Sequence, residues 1–134
     1  MATIESAIRA MLINGTTLSS AGIPDSRVAH GYRLQDSLLP ACTFEVEQEE
    51  RMSIGSTPLL RTRAEIRIVA DRTNDALGFR DELQALCVAG TYDTYVFQAV
   101  EWIGHTIDPA SAGDGDENQP AELACTIEIH YTEA

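Results

Sequence analysis

The chain is 134 residues long, 44% hydrophobic and 22% charged, the size and balance of one folded domain that buries its core without disulfides or metal. Twenty-one acidic residues face nine basic ones, for a formal net charge of −12, and all nine are arginines; lysine is absent. That balance argues against charge-driven binding of phosphate backbones, and there is neither an apolar run near the roughly 20 residues of a membrane span nor the basic-then-apolar start of a signal peptide.

The first element is a helix over residues 3–13. Ile4, Ala7, Ile8, Met11 and Leu12 recur at helical spacing along one stripe, Thr3, Glu5 and Ser6 suit its N-terminus, and Asn14-Gly15 stops it. Residues 16–40 mix turn residues with short apolar patches and predict one brief strand around Arg27–Tyr32. From Ala41 to Met52 the pattern alternates, Cys42, Phe44 and Val46 against Glu45 and Glu47. "SIGSTP" is a loop by composition. "LLRTRAEIRIVAD" then places Arg61, Arg63 and Arg67 on one strand face and Ala64, Ile66, Ile68 and Ala70 on the other. Residues 41–70 therefore read as a long β-hairpin with a flexible tip, in which Glu45, Glu47 and Glu49 meet the three arginines across the strands at about 0.2–1 kcal/mol per pair.

Asp71–Asn74 caps a second helix whose stripe is Ala76, Phe79, Leu83, Leu86 and Cys87, ending before Gly90. Residues 92–103, "YDTYVFQAVEWI", read as a strand apolar on both sides, with Val96, Val100 and Trp102 facing one way and Tyr95, Phe97 and Ile103 the other. Such a strand calls for two covers. Residues 104–121 form a Gly, Pro and Asp-rich loop, and Glu122–Tyr131 a final strand with Leu123, Cys125, Ile127, Ile129 and Tyr131 inward. The sum is a single α+β domain spanning 1–134. It has a largely antiparallel sheet of about four to five strands, with a mixed sheet as the alternative, and two main helices packed on one face.

Chemistry is hard to find. Cys42, Cys87 and Cys125 are far apart and read as buried free thiols; His30, His105 and His130 show no metal spacing. Asp114, Asp116 and Asn118 open like a calcium loop, but Gln119 and Cys125 stand where a glycine and a bidentate glutamate belong. There is no phosphate loop and no G-x-S-x-G elbow. His130 falls beside Glu128 on the outer face of the last strand, a surface pair. The glutamates at 45, 47, 49 and 50 read as a solvated strand face. No catalytic residue, metal or cofactor is expected.

The order of elements, together with "TIESAIRAMLIN", "LLPACTFEVE" and "RTRAEIRIVADRTNDALGFRDELQALC", resembles the small tail terminator (tail completion) proteins of long-tailed bacteriophages and gene transfer agents over nearly the whole chain. Arg63, Ile66, Ile68, Ala70 and Asp71 look like that family's arginine-led alternating strand, and Ala76 and Leu83 like the sheet-facing positions of its following helix. Val69 stands where an aromatic is common, and the stretch from Asp108 to Asn118 is long and acidic for the family.

The resemblance implies a non-enzymatic virion protein at the head-proximal end of the tail, assembled in the host cytoplasm. It implies a homo-oligomeric ring, usually of six subunits, that caps the tail tube, ends its elongation and docks the neck or head-completion protein, while DNA passes through the lumen without specific binding. The expected subunit interface is Glu45, Glu47 and Glu49 with Arg61, Arg63 and Arg67, and the expected contacts to tube or neck are Ser53, Ile54, Gly55, Asp114 and Asp116. A neck or head-completion connector of the same assembly is the nearest alternative. From another class, a small-ligand binder or enzyme would place its pocket between sheet and helices, with 104–121 as a lid and Trp102 and His105 at the border.

Overall fold

The computed structural model describes residues 3–14, 23, 28–31, 41–47, 50–51, 59–70, 73–109 and 121–133. Its elements in chain order are α1 (Ile4–Leu12), β1 (Val28–His30), β2 (Ala41–Val46), β3 (Glu50–Arg51), β4 (Leu60–Ala70), α2 (Thr73–Leu86), β5 (Gly90–Tyr92), β6 (Tyr95–Pro109) and β7 (Ala121–Glu133). The fold is α+β. Among the described residues the strands form one sheet in the order β1-β2-β4-β7-β6-β5, with β3 pairing β4 beyond the end of β2. The β1-β2 pair is parallel and every other pair antiparallel, so the sheet is mixed. β2, β4, β7 and β6 form its body; β1, β3 and β5 have two or three residues each.

α1 begins where the sequence places it. Thr3 and Ser6 form a reciprocal capping box, with Thr3 N–H donating to Ser6 Oγ at 2.9 Å and Ser6 N–H to Thr3 Oγ1 at 3.1 Å, which satisfies two backbone donors left over at a helix start. The Ser6 hydroxyl also reaches the Asp93 carboxylate at 2.6 Å. Asp93 occupies the two-residue turn between β5 and β6 at φ 57°, a left-handed conformation that Asp tolerates better than most side chains. One serine thus ties the first helix to a hairpin 87 positions away.

β4 and β7 alternate with a two-residue period. Thr62, Ala64, Ile66, Ile68 and Ala70 of β4 are buried, as are Ala121, Leu123, Cys125, Ile127, Ile129 and Tyr131 of β7. Ala7, Ile8, Met11 and Leu12 of α1 and Phe79, Leu83 and Leu86 of α2, with Cys87 just beyond it, close over that face. Thr62, 1% exposed, is satisfied by donating to the Glu47 carbonyl at 3.0 Å. The predicted hairpin of 41–70 is present, with β2 and β3 both pairing β4 and the Glu47 N–H donating to the Arg63 carbonyl at 2.8 Å.

β6 differs from the sequence reading in length and in phase. It runs on to Pro109, so residues 104–109 belong to a strand and not to a loop. Register shifts between Phe97 and Ala99, and again between Trp102 and Gly104, break its alternation. Phe97 lies opposite Tyr131 on the helix side; past the first shift, Val100 and Trp102 lie opposite Ile129 and Ile127 on that same side. An extra residue inverts the parity of everything after it. The strand therefore reads as apolar on both faces in sequence while its large side chains gather mainly on one.

The phase is testable. Phe97 is 1% exposed with its ring 5.0 Å from Tyr92 and 6.2 Å from Tyr131, so Phe97→Ala should cost about 3–5 kcal/mol in urea unfolding. Val96→Ala, opposite Thr132 on the other face, should cost far less; equal costs would contradict the assignment of faces.

Candidate functional site

The face of the sheet turned away from the helices carries the charged row. Arg61, Arg63, Glu65, Arg67 and Val69 project from β4 there, beside Thr43 and Glu45 of β2 and Glu122, Glu128 and His130 of β7. The three arginines share one face, as their spacing requires. The hairpin keeps part of the expected pairing, with Glu47 level with Arg63 and Glu50 opposite Arg61, and β7 adds carboxylates that the hairpin does not contain. The β2-β4 register sets Glu45 against Glu65 and Thr43 against Arg67, so no arginine lies directly across from Glu45.

β7 supplies most of the carboxylates. Glu128 sits opposite Arg63, whose Nε donates to its Oε1 at 3.4 Å; Arg61 Nε is 3.8 Å from the same oxygen and His130 Nε2 is 3.6 Å from Oε2. The Glu128 side chain is 11% exposed, much less than either arginine. His130 Nε2 is buried and, among the described residues, has no hydrogen-bond partner. The pairing of His130 with Glu128 is the one that the last strand's spacing predicts. Arg67 is held at 2.7 Å by Glu65 on its own strand and at 3.6 Å by Glu122. The hydrogen bond to Glu65 and that carboxylate's charge, with smaller help from Glu122 and Glu45, push the Arg67 guanidinium above its usual value, so it stays charged at any working pH.

A recess of about 140 Å3 opens on this face, lined by Thr43, Glu45, Glu65, Arg67 and Glu122 among others. It is smaller than the about 300–1,000 Å3 of ligand pockets, and the Arg67 ion pairs cross it. It does not extend to Trp102 or His105, the residues expected to border a ligand site. Their rings lie 5.9 Å apart, both on β6, and the supposed lid gives up 104–109 to that strand. Among the described residues no group of three or more His, Cys, Asp or Glu side chains is arranged to hold a metal.

The thiols of Cys42, Cys87 and Cys125 are free and buried. Burial pushes all three up, Cys125 to about 12 and the other two further. Thiols so strongly protonated offer no thiolate for nucleophilic work. Of the expected contact residues, Glu45, Glu47, Arg61, Arg63 and Arg67 fall on or beside the outer face; Glu49, Ser53, Ile54, Gly55, Asp114 and Asp116 lie outside the described residues. Glu122 and Glu128 were not singled out as arginine partners, although their position on the polar side of an alternating strand was the available signal.

No protein-family profile matches the chain, and no curated protein matches it significantly in sequence. In structure it is similar to a chain from the virion of a native gene transfer agent particle, with a TM-score of 0.67 at 8% identity, covering 96% of this chain and 94% of that one. At that identity the likeness is one of fold, and it extends over both chains almost end to end.

Two outcomes check this geometry. Glu128→Ala leaves Arg61 and Arg63 beside an emptied, nearly closed site and should destabilise by about 1–3 kcal/mol, while Arg67→Ala, losing half-exposed pairs, should stay within about 1 kcal/mol, both read from urea midpoints. An aromatic disulfide reagent at pH 8 should leave the three thiols of the native protein essentially unreacted and titrate all of them once denaturant is added.

Proposed function

We propose that the chain is a structural virion protein of a long-tailed phage or gene transfer agent particle, and within it the tail terminator. A ring of copies, six by family resemblance, would cap the tail tube, end its elongation and present a surface to the neck, with DNA passing through the lumen. The observation that carries this reading is the end-to-end similarity of fold to a gene transfer agent virion chain.

Other features support it. The work of such a ring is geometric, and the outer face offers interlocked charges in place of a substrate cleft. A chain of net charge −12 lets a phosphate backbone slide past without holding it. Arg63 and Arg67 each keep about half their side chain exposed, at 51%, which leaves guanidinium surface for a neighbouring copy while the intramolecular pairs persist. Arg61, Arg63 and Arg67, with Glu45, Glu47 and Glu49, are on this reading one side of the contact between subunits. Loop residues Ser53, Ile54, Gly55, Asp114 and Asp116 are the proposed contacts with tube or neck.

Light scattering on a sizing column, across concentrations and with purified tail tubes, tests the proposal. The wild type should run as a ring or form one on tube ends. Binding to head connectors in preference to tube ends would move the assignment to a neck protein, and a monomer indifferent to both would overturn it. The double substitution Arg63→Ala with Arg67→Ala should fold normally and weaken ring formation at least tenfold; unchanged assembly would remove these arginines from the interface.

A further inference from the structure

The sheet ends unequally. At one end β5 covers β6 only over Tyr95–Phe97, and among the described residues no strand pairs the side of β6 opposite β7 from Gln98 to Pro109. An unpaired strand edge is a template for another strand, and soluble proteins usually guard it with lysine or inward-pointing charge. This edge has no lysine or arginine. The second register shift leaves Ile103 out of the ladder and 46% exposed, and Val100, Trp102 and Ile107 beside it are only partly buried.

Charge is divided along the same sheet. All nine arginines lie at or before Arg80, and the residues from Asp81 onward hold 11 of the 21 acidic groups with no basic residue among them. β5, β6 and β7 therefore carry no cation other than histidine. The strand arginines are confined to β3 and β4, and α1 adds Arg9, whose Nε donates to the Val28 carbonyl of β1 at 3.0 Å. One edge of the sheet is acidic and open; the described strand arginines all lie in the opposite half.

We propose that the Gln98–Pro109 edge of β6 is the docking site for a second copy of this chain, which presents its β1 side with the accompanying arginines. The inference rests on the ring reading and names the other half of its contact. Two β6 edges would bring like charge together, so the contact is heterologous, one patch meeting a different patch on the next subunit, and closes into a ring if the rotation allows. Extended backbone supplies the affinity, Ile103 an apolar anchor and the charge division the direction.

The test uses the full chain. Ile103→Lys places a guarding charge on the exposed edge, and His30→Asp places an acidic group at the exposed end of β1 on the opposite edge. Each variant alone should fold as the wild type does but run at the 14.6 kDa of one chain. Mixed in equal amounts, they should give a species of twice that mass, because one intact edge of each kind remains. Should Ile103→Lys fail to fold by circular dichroism, Glu101→Arg at an exposed position of the same strand gives the same reading. In the assembled wild type, the amides between Gln98 and Asp108 that point away from β7 should exchange hydrogen at least tenfold more slowly than in the variants. An edge variant that keeps the ring mass, or a mixture that stays monomeric, overturns this inference and leaves the ring standing; a wild type that is monomeric under every condition overturns the ring reading and this inference with it.

Discussion

The pairing of β4 with β7 is the constraint from which most of the molecule follows. Eleven consecutive residue pairs run from Leu60 opposite Tyr131 to Ala70 opposite Ala121. On one side Ala64 meets Ile127, Ile66 meets Cys125 and Ile68 meets Leu123, all fully or almost fully buried. A slip of one residue would turn Arg63, Arg67 and Glu128 inward, and burying such charges unpaired is far costlier than any cross-strand contact could offset. The core and the arginine row are thus two consequences of a single register. Neither can be shifted without the other.

The same register decides how much the charges contribute. Pairs between half-exposed side chains, such as Arg67 with Glu65 and Glu122, are worth at most about 1 kcal/mol each. Glu128 is the exception, because strand packing leaves its carboxylate 11% exposed while Arg61 and Arg63 stand over it. Desolvation makes it costly to leave unpaired. The outer face is therefore anchored at one glutamate and comparatively loose elsewhere.

How much of this the amino-acid order discloses depends on whether the information is local. The period of two in β4 and β7 and the stripe of α1 are local, and both were legible to within a residue or two. So was the arginine face. The partner strand was not, because the hairpin that brings Glu45 near β4 in sequence does not decide that β7 borders β4 on its other side, with Glu122 and Glu128 in register. β6 was misread for a different reason. A period-two reading assumes unbroken pleat, and each register shift inverts parity, so that Phe97 and Val100, three apart, share a face. The Gly104 to Pro109 stretch resembles a loop in composition, yet six consecutive pairs to β7 hold it extended. Cross-strand pairing overrode local propensity there.

Position along the chain and position across the sheet are linked here in a way that composition conceals. A net charge of −12 describes a uniformly acidic protein, and such copies repel one another. The fold converts the same residues into a directional object, because the arginine-free C-terminal segment forms one side of the sheet and the described strands that carry arginine, β3 and β4, lie on the other. Mutual repulsion then remains strongest for acidic edge against acidic edge and weakest for unlike edges. On the proposed reading, an acidic chain gains two properties at once: a lumen that does not hold DNA, and a single favoured orientation for its neighbours. Salt should weaken the second more than the fold, since edge charges are exposed and screened over about 8–10 Å while the β4-β7 register is held by buried apolar contacts that salt does not loosen.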